Sequence, residues 1–160
     1  MDAGNPDMLT RVFCAIDDQE HSGRAVDTAI DIARATSSKL IFFMANPAVL
    51  PGRGPVVYRW TKDYIKGYFN QARARARQSG VYDTGCIAKN ATDITKAILR
   101  AAEDEEADYI VVGSNYQPGP LRNWKYSITR EVAARTHCPT IIVHAEPEPR
   151  NLVSRLLAAE

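Results

Sequence analysis

The sequence predicts an α/β fold in which a parallel sheet carries helices on both faces. Three observations point there. Short, nearly continuous apolar runs have strand length, the segments between them repeat apolar residues at helical spacing, and the two kinds alternate along the chain. A strand covered on both faces reads as an unbroken apolar run, whereas a covering helix shows a single apolar stripe.

Residues 1–10 form a polar lead-in. Arg11 to Ile16 is the first strand. Asp17-Asp18-Gln19-Glu20-His21-Ser22 interrupts it, with Ser22 as the expected N-cap of a helix over 23–36. Val26, Ala29, Ile30 and Ala33 lie on one face of that helix. Leu40 to Ala45 is the second strand. Residues 46–57 hold Pro47, Pro51, Gly52, Gly54 and Pro55, and are expected to be a loop. A second helix spans 59–78, with Tyr64, Ile65, Tyr68, Phe69 and Ala72 facing inward and Ser79-Gly80 ending it. A weak strand covers 84–88. A third helix covers 93–106, with Ile94, Ala97, Ile98, Ala101 and Ala102 inward. Tyr109 to Val112 is the clearest buried strand, followed by a polar loop from Gly113 to Asn123. The fourth helix begins at Trp124 or Ser127 and runs to Thr136, with Ile128 and Val132 inward; Pro139 to His144 is the last strand. Beyond Pro147, residues 151–159 place Leu152, Val153, Leu156 and Leu157 on one side of a short helical pattern. The expected organisation is a lead-in over 1–10, one domain over 11–146 and an extension over 147–160.

With 160 residues the chain matches a prior of about 150 residues per domain. Hydrophobic residues at 45% and charged residues at 24% suit a packed globule rather than a disordered chain. The net charge of +1 argues against a strongly basic nucleic-acid binder. The apolar run 40–45 is far shorter than the ~20 residues of a spanning helix, so no membrane role is expected. Cys14, Cys86 and Cys138 form no C-x-x-C pair and suit buried thiols in a reducing compartment. Met1 to Pro6 lacks a basic and an apolar signal region, so the expectation is a cytoplasmic protein.

In a parallel sheet ligands bind beyond the carboxyl ends of the strands, where strand order reverses. The informative segments are therefore Asp17-Asp18, the 46–57 loop and the loop after Val112.

Three stretches carry a resemblance. Asp17 followed by Glu20-His21-Ser22 resembles a "V-D-x-S-E-H-S" opening. Ala102 to Ser114 is similar to "A-x-x-x-x-A-D-L-I-V-V-G-S", and Cys138 to Val143 to "C-P-V-L-V-V". Together they resemble the universal stress protein family over roughly residues 10–145. The resemblance implies a Rossmann-like (adenine nucleotide alpha hydrolase-like) sandwich, its five-stranded parallel sheet in the order 3-2-1-4-5 with helices on both faces. It also implies that Asp17 and Gly113 look into one crevice. In nucleotide-binding members the residue matching Asp17 contacts adenine, the residue matching Ala45 touches it through its backbone, and Gly113, Ser114 and Ser127 match the phosphate-side positions. The last strand, Pro139 to His144, would pair with its two-fold mate in a homodimer, which would shield an apolar sheet edge.

ATP-binding members carry G-x-x-G-(nine residues)-G-[ST]. Here Gly113 and Ser127 match, while Tyr116 and Tyr126 replace the second and third glycines. Glycine lets a backbone approach phosphates closely and adopt positive φ; tyrosine fills that space. The expectation is a non-catalytic stress-response regulator, homodimeric, recognising protein partners not identifiable from the sequence, with weak, altered or lost adenine-nucleotide binding. No cofactor is required; ATP or AMP are the candidates. The alternative is a genuine ATP- or AMP-binding, slowly hydrolysing member whose phosphate loop is rebuilt around Ser127, at a helix N-terminus that favours anions. His21, His137 and His144 are scattered, and no catalytic or metal-binding spacing emerges. Residues 59–78 carry a net +5 from six basic residues and Asp63, dispersed round the helix as on a solvated exterior.

Overall fold

A computed structural model describes residues 10–18, 20–49, 52–114 and 126–144. The expectations for the lead-in, for Tyr116, for Trp124 and for the 147–160 extension lie outside the described residues.

Six strands and four helices follow one another: β1 (Arg11–Ala15), α1 (Glu20–Thr36), β2 (Lys39–Val49), β3 (Val57–Tyr58), α2 (Lys62–Gln78), β4 (Thr84–Ala91), α3 (Ile94–Asp104), β5 (Tyr109–Ser114), α4 (Tyr126–Arg135) and β6 (Thr140–His144). Five of the strands run parallel in the order β4-β2-β1-β5-β6. Numbered without β3, this is the expected order 3-2-1-4-5. The purely five-stranded parallel sheet is corrected by β3. The apolar run of β2 continues through Pro47, and its last two residues pair antiparallel with β3 in the register Ala48↔Tyr58 and Val49↔Val57. Part of the expected 46–57 loop is thus a ribbon. A proline is accommodated near a strand end because fewer ladder bonds depend on it there.

Alternation along the strands divides the core in two. Val12, Cys14, Leu40, Phe42, Met44 and Val111 pack with α1 and α2. Phe13, Ile41, Phe43, Ile110 and Val112 pack with α3 and α4 on the opposite face. Val12, Phe13 and Cys14 are fully buried, since β1 is paired on both edges and covered on both faces. Burial pushes the Cys14 thiol far above its usual range, because a thiolate there would have no water. Cys86 and Cys138, expected to be buried, are only partly so.

Three details of the expected helices change. α1 begins at Glu20, so Ser22 lies inside its first turn and is not the N-cap. On α2 the buried residues are Ile65, Phe69, Ala72 and Ala76, while Tyr64 turns outward at 44% exposure. On α4 Val132 is fully buried but Ile128 is exposed, and Thr129 takes the inward position. In both helices the buried face is rotated from the expected one: the aromatic and branched residues at its margin stand at the water boundary.

Helix ends are set locally. The Thr61 hydroxyl accepts from the Tyr64 N–H, and the Asp93 carboxylate from the Lys96 N–H, as N-caps do. At the end of α2, Gly80 has φ +84°, and Val81 N–H donates to the Ala76 carbonyl at 2.9 Å, closing a left-handed C-terminal turn. α3 ends in the same way, but with Glu106 at φ 51°, a conformation in which a side chain is strained.

Two substitutions test this account by urea denaturation. Glu106→Gly is expected to raise stability by about 0.5–1 kcal/mol, because it relieves the left-handed strain. Phe42→Ala is expected to lower it by about 3–5 kcal/mol, through lost burial plus a cavity.

Candidate functional site

Register carries the chain to the site. Ala15 pairs with Phe43 on one side and Val112 on the other. Two residues further on, Asp17, Ala45 and Ser114 fall level with one another at the carboxyl edge, with Gly113 one step behind. Asp17 and Gly113 therefore stand at the carboxyl edge of adjacent parallel strands, where the sheet's order reverses and a ligand crevice is expected.

Each residue of this row has a definite environment. The Asp17 N–H donates to Ser22 Oγ at 2.9 Å, and Ser22 Oγ donates back to Asp17 Oδ1 at 2.5 Å. This reciprocal pair closes the turn and aims the carboxylate, so the serine orients Asp17 instead of capping the helix. Ala45 places its methyl in the core on the α3 and α4 side. Ser114 is buried at the end of β5, level with His144 of β6. The Gly113 carbonyl accepts from Thr129 Oγ1 at 3.3 Å, which ties β5 to α4. Gly113 belongs to the strand itself, and the described glycines at positive φ are Gly54 and Gly80. Ser127 lies in the first turn of α4. Its position on the backbone is all that is described of it and of Tyr126.

The structure adds residues that the sequence pattern did not mark. Asn46 is almost fully buried at the end of the core part of β2. Its Nδ2 donates to the Trp60 carbonyl at 2.8 Å and to Asn90 Oδ1 at 3.1 Å, while its Oδ1 accepts from the Trp60 N–H at 2.9 Å. One amide thereby satisfies both backbone groups of Trp60 and holds the segment returning from the ribbon. The Trp60 indole N–H donates to Asp18 Oδ2 at 3.2 Å, and Arg59 Nη2 reaches the same oxygen at 3.5 Å. The Arg59 guanidinium also lies 5.5 Å from the centre of the Trp60 ring. From Trp60 an aromatic ladder climbs α2: Trp60 stacks on Tyr64 at 6.3 Å, and Tyr64 meets Tyr68 at 5.2 Å. The Tyr68 phenol is held above its usual range, first by its hydrogen bond with Tyr64, then by desolvation, and then by the negative charge of Asp18 and Asp17. The turn after β1 and the start of α2 are thus one polar-aromatic unit. The available signals were an asparagine closing an apolar run and aromatics at i, i+4 and i+8, neither of which names its partner.

Chemically, the crevice offers an oriented carboxylate, exposed aromatic surface beside it and the N-terminus of α4. Among the described residues no group of three or more His, Cys, Asp or Glu stands close enough to hold a metal. The dispersed basic charge of residues 59–78 is partly spent within the fold, Arg75 on Asp27 and Arg59 on Asp18.

Comparisons with known proteins give a consistent picture. The family model described as "Universal stress protein family" matches residues 8–144. A solved universal stress protein in complex with cAMP is 26% identical, with a TM-score of 0.69 over 86% of this chain and 98% of that one. The universal stress protein UspA from Lactobacillus plantarum is 16% identical, with a TM-score of 0.67 over 84% of this chain and 97% of its own. A universal stress protein from Archaeoglobus fulgidus, solved with dAMP, is 18% identical, with a TM-score of 0.60 over 85% and 98%. The last two likenesses speak for the fold alone.

Asn46→Ala is expected to lower stability by about 2–3 kcal/mol, since it removes a buried amide and leaves the partly buried backbone of Trp60 without its partners. Trp60→Phe should cost about 1 kcal/mol, one hydrogen bond to a charged group that is still served by Arg59. Urea midpoints measure both, and equal losses for the two would contradict the assigned order of importance.

Proposed function

The chain belongs to the universal stress protein family, and on that premise we propose that it is a non-catalytic regulatory protein whose carboxyl-edge crevice takes an adenine mononucleotide in preference to a triphosphate. The observation that carries this is the parallel pairing of β1 with β5, which ends at Asp17 and Gly113 on the same edge of the sheet, in a chain that has Tyr116 and Tyr126 at two glycine positions of the motif. The carboxylate of Asp17, steadied by Ser22, serves the adenosine end, and the backbone of Ala45 borders the same place. Gly113, Ser114 and Ser127 stand on the phosphate side. Tyr116 and Tyr126 stand in the sequence where the motif has two of the glycines that let a backbone cradle a polyphosphate, so a β- or γ-phosphate is expected to gain little. A single phosphate asks less of the loop, and the N-terminus of α4 favours its charge. The relative that was solved with cAMP supports a one-phosphate ligand.

A second reading is favoured by Ser127 alone. Its place in the first turn of α4 keeps one element of a phosphate site, and a loop rebuilt around it would allow ATP or AMP binding with slow hydrolysis.

The working form is taken to be a cytoplasmic homodimer built on residues 11–146 and joined through Pro139 to His144, with protein partners as its output. β6 pairs only with β5 among the described strands and presents Ile142 at 36% exposure, and the buried Thr140 hydroxyl has no partner among the described residues. No described helix is long and apolar enough to cross a membrane.

In calorimetric titrations AMP or cAMP is expected to bind at least about tenfold more tightly than ATP, and Asp17→Ala to weaken AMP by a similar factor. ATP binding more tightly than AMP, lost in Ser127→Ala, would establish the second reading instead. Native mass spectrometry is expected to report a dimer; a monomer at micromolar concentration would remove the edge-pairing proposal.

A further inference from the structure

The two faces of β6 are covered by different helices. Val111 of β5 belongs to the core beneath α1 and α2 and pairs with Ile141, while Gly113 pairs with Val143. Side chains alternate along a strand, so Ile141 and Val143 lie on that same face. Both pack against the core and both are only partly buried, as is Ile32 on α1. α1 packs against β5 and reaches β6, whereas α2 packs over β2 and β4. α3 and α4 cover the opposite face. Among the described residues no helix therefore lies beyond α1 over β6, and Ile32, Ile141 and Val143 form an apolar strip that is covered on one side only.

The chain itself continues from this strip. β6 ends at His144, at the carboxyl edge, and Arg24 Nη1 of α1 donates to the His144 carbonyl at 2.6 Å. The strand thus ends against the first turns of the helix that borders the strip. Residues 145–150, Ala-Glu-Pro-Glu-Pro-Arg, number six, a length that ordinarily connects a strand to a helix packed back on its own sheet. Residues 151–159 then place Leu152, Val153, Leu156 and Leu157 on one side of a helical pattern, with Asn151, Ser154 and Arg155 opposite. Nine helical residues measure ~13 Å and the five residues of β6 ~16 Å, so the pattern suits the length of the strand it follows. So short a helix is marginal alone in water and needs a surface to form on.

We propose that residues 151–159 dock as a helix on this strip, antiparallel to β6 and beside α1, within the same chain. The apolar stripe of the segment meets Ile32, Ile141 and Val143, and its polar side faces water. A helix on the face of β6 leaves the outer backbone edge of the strand open, so the inference is independent of pairing between copies and of nucleotide binding. It gives the strip a built-in occupant. A protein partner that presents an apolar helix to the same surface has to displace the segment, so docking withdraws the surface and release offers it.

Hydrogen exchange and methyl NMR on the full chain test this. The amides of residues 155–158 are expected to exchange at least about tenfold more slowly than in the free peptide 147–160. Leu156→Lys is expected to remove that protection and to shift the methyls of Ile32, Ile141 and Val143, while those of Leu40 and Ile110 stay in place and report an intact core. Ser154→Lys, on the opposite side of the segment, is expected to change neither. In a mixture of labelled and unlabelled chains, nuclear Overhauser contacts from Leu156 to Ile141 are expected within one chain. Exchange as fast as in the free peptide, equal loss of protection in both variants, or methyl shifts at Ile128 and Ile142 instead would each overturn the proposal. So would contacts found only between chains, the mark of a segment seated on a second copy.

Discussion

Everything in this molecule hangs on the double pairing of β1. Its residues exchange hydrogen bonds with β2 on one edge and β5 on the other, and their side chains are buried on both faces. This placement buries four apolar residues and pairs their backbone at once. A one-residue slip against either neighbour would transfer Phe13 and Cys14 to the wrong layers and disorder both cores. The same register leaves Asp17 as the first carboxylate past the core, level with Ala45 and Ser114. The position of this edge is therefore a by-product of packing, fixed by the apolar residues of the core.

A second tier of contacts turns this position into a defined geometry. Parallel strands end in loops whose polar groups need partners, and Asn46 supplies them to Trp60 from a buried site. Trp60 in turn reaches Asp18, so the loops after β1 and β2 are held together although 42 residues separate the two partners. Ser22 does the corresponding service for Asp17 within a single turn. These bonds lie in or near low-dielectric surroundings, where an unmet partner is costly, and this gives them a hold on the loops that their number does not suggest.

Most of the architecture was legible in the sequence because burial on two faces leaves an unmistakable trace. The runs at Val12 to Ile16, Leu40 to Ala45 and Tyr109 to Val112 admit no polar residue, and their alternation with helical stripes implied the order of the five long strands. The juxtaposition of Asp17 with Gly113 followed from that order. Less legible was whatever depends on a partner distant in the chain. Pro47 and its neighbours looked like a loop because the turn-forming residues after them are real, yet β2 persists where β3 and β4 supply pairing. Tyr64 and Ile128 have the apolar character of inward residues and sit at the boundary, because spacing gives a stripe without giving its exact rotation. Asn46, Trp60 and Arg75 carried no motif at all: their roles arise from contacts with segments that the fold brings near.

The sheet separates two cores that share little except its strands. Val12, Cys14, Phe42 and Met44 belong with α1 and α2, whereas Phe13, Ile41, Phe43 and Val112 belong with α3 and α4. Changes in side chains more than about 7–10 Å apart without shared partners add almost independently. Substitutions confined to the layer beneath α3 and α4 are therefore expected to leave the layer that carries the polar-aromatic unit almost unchanged, and the central strand alone must answer to both.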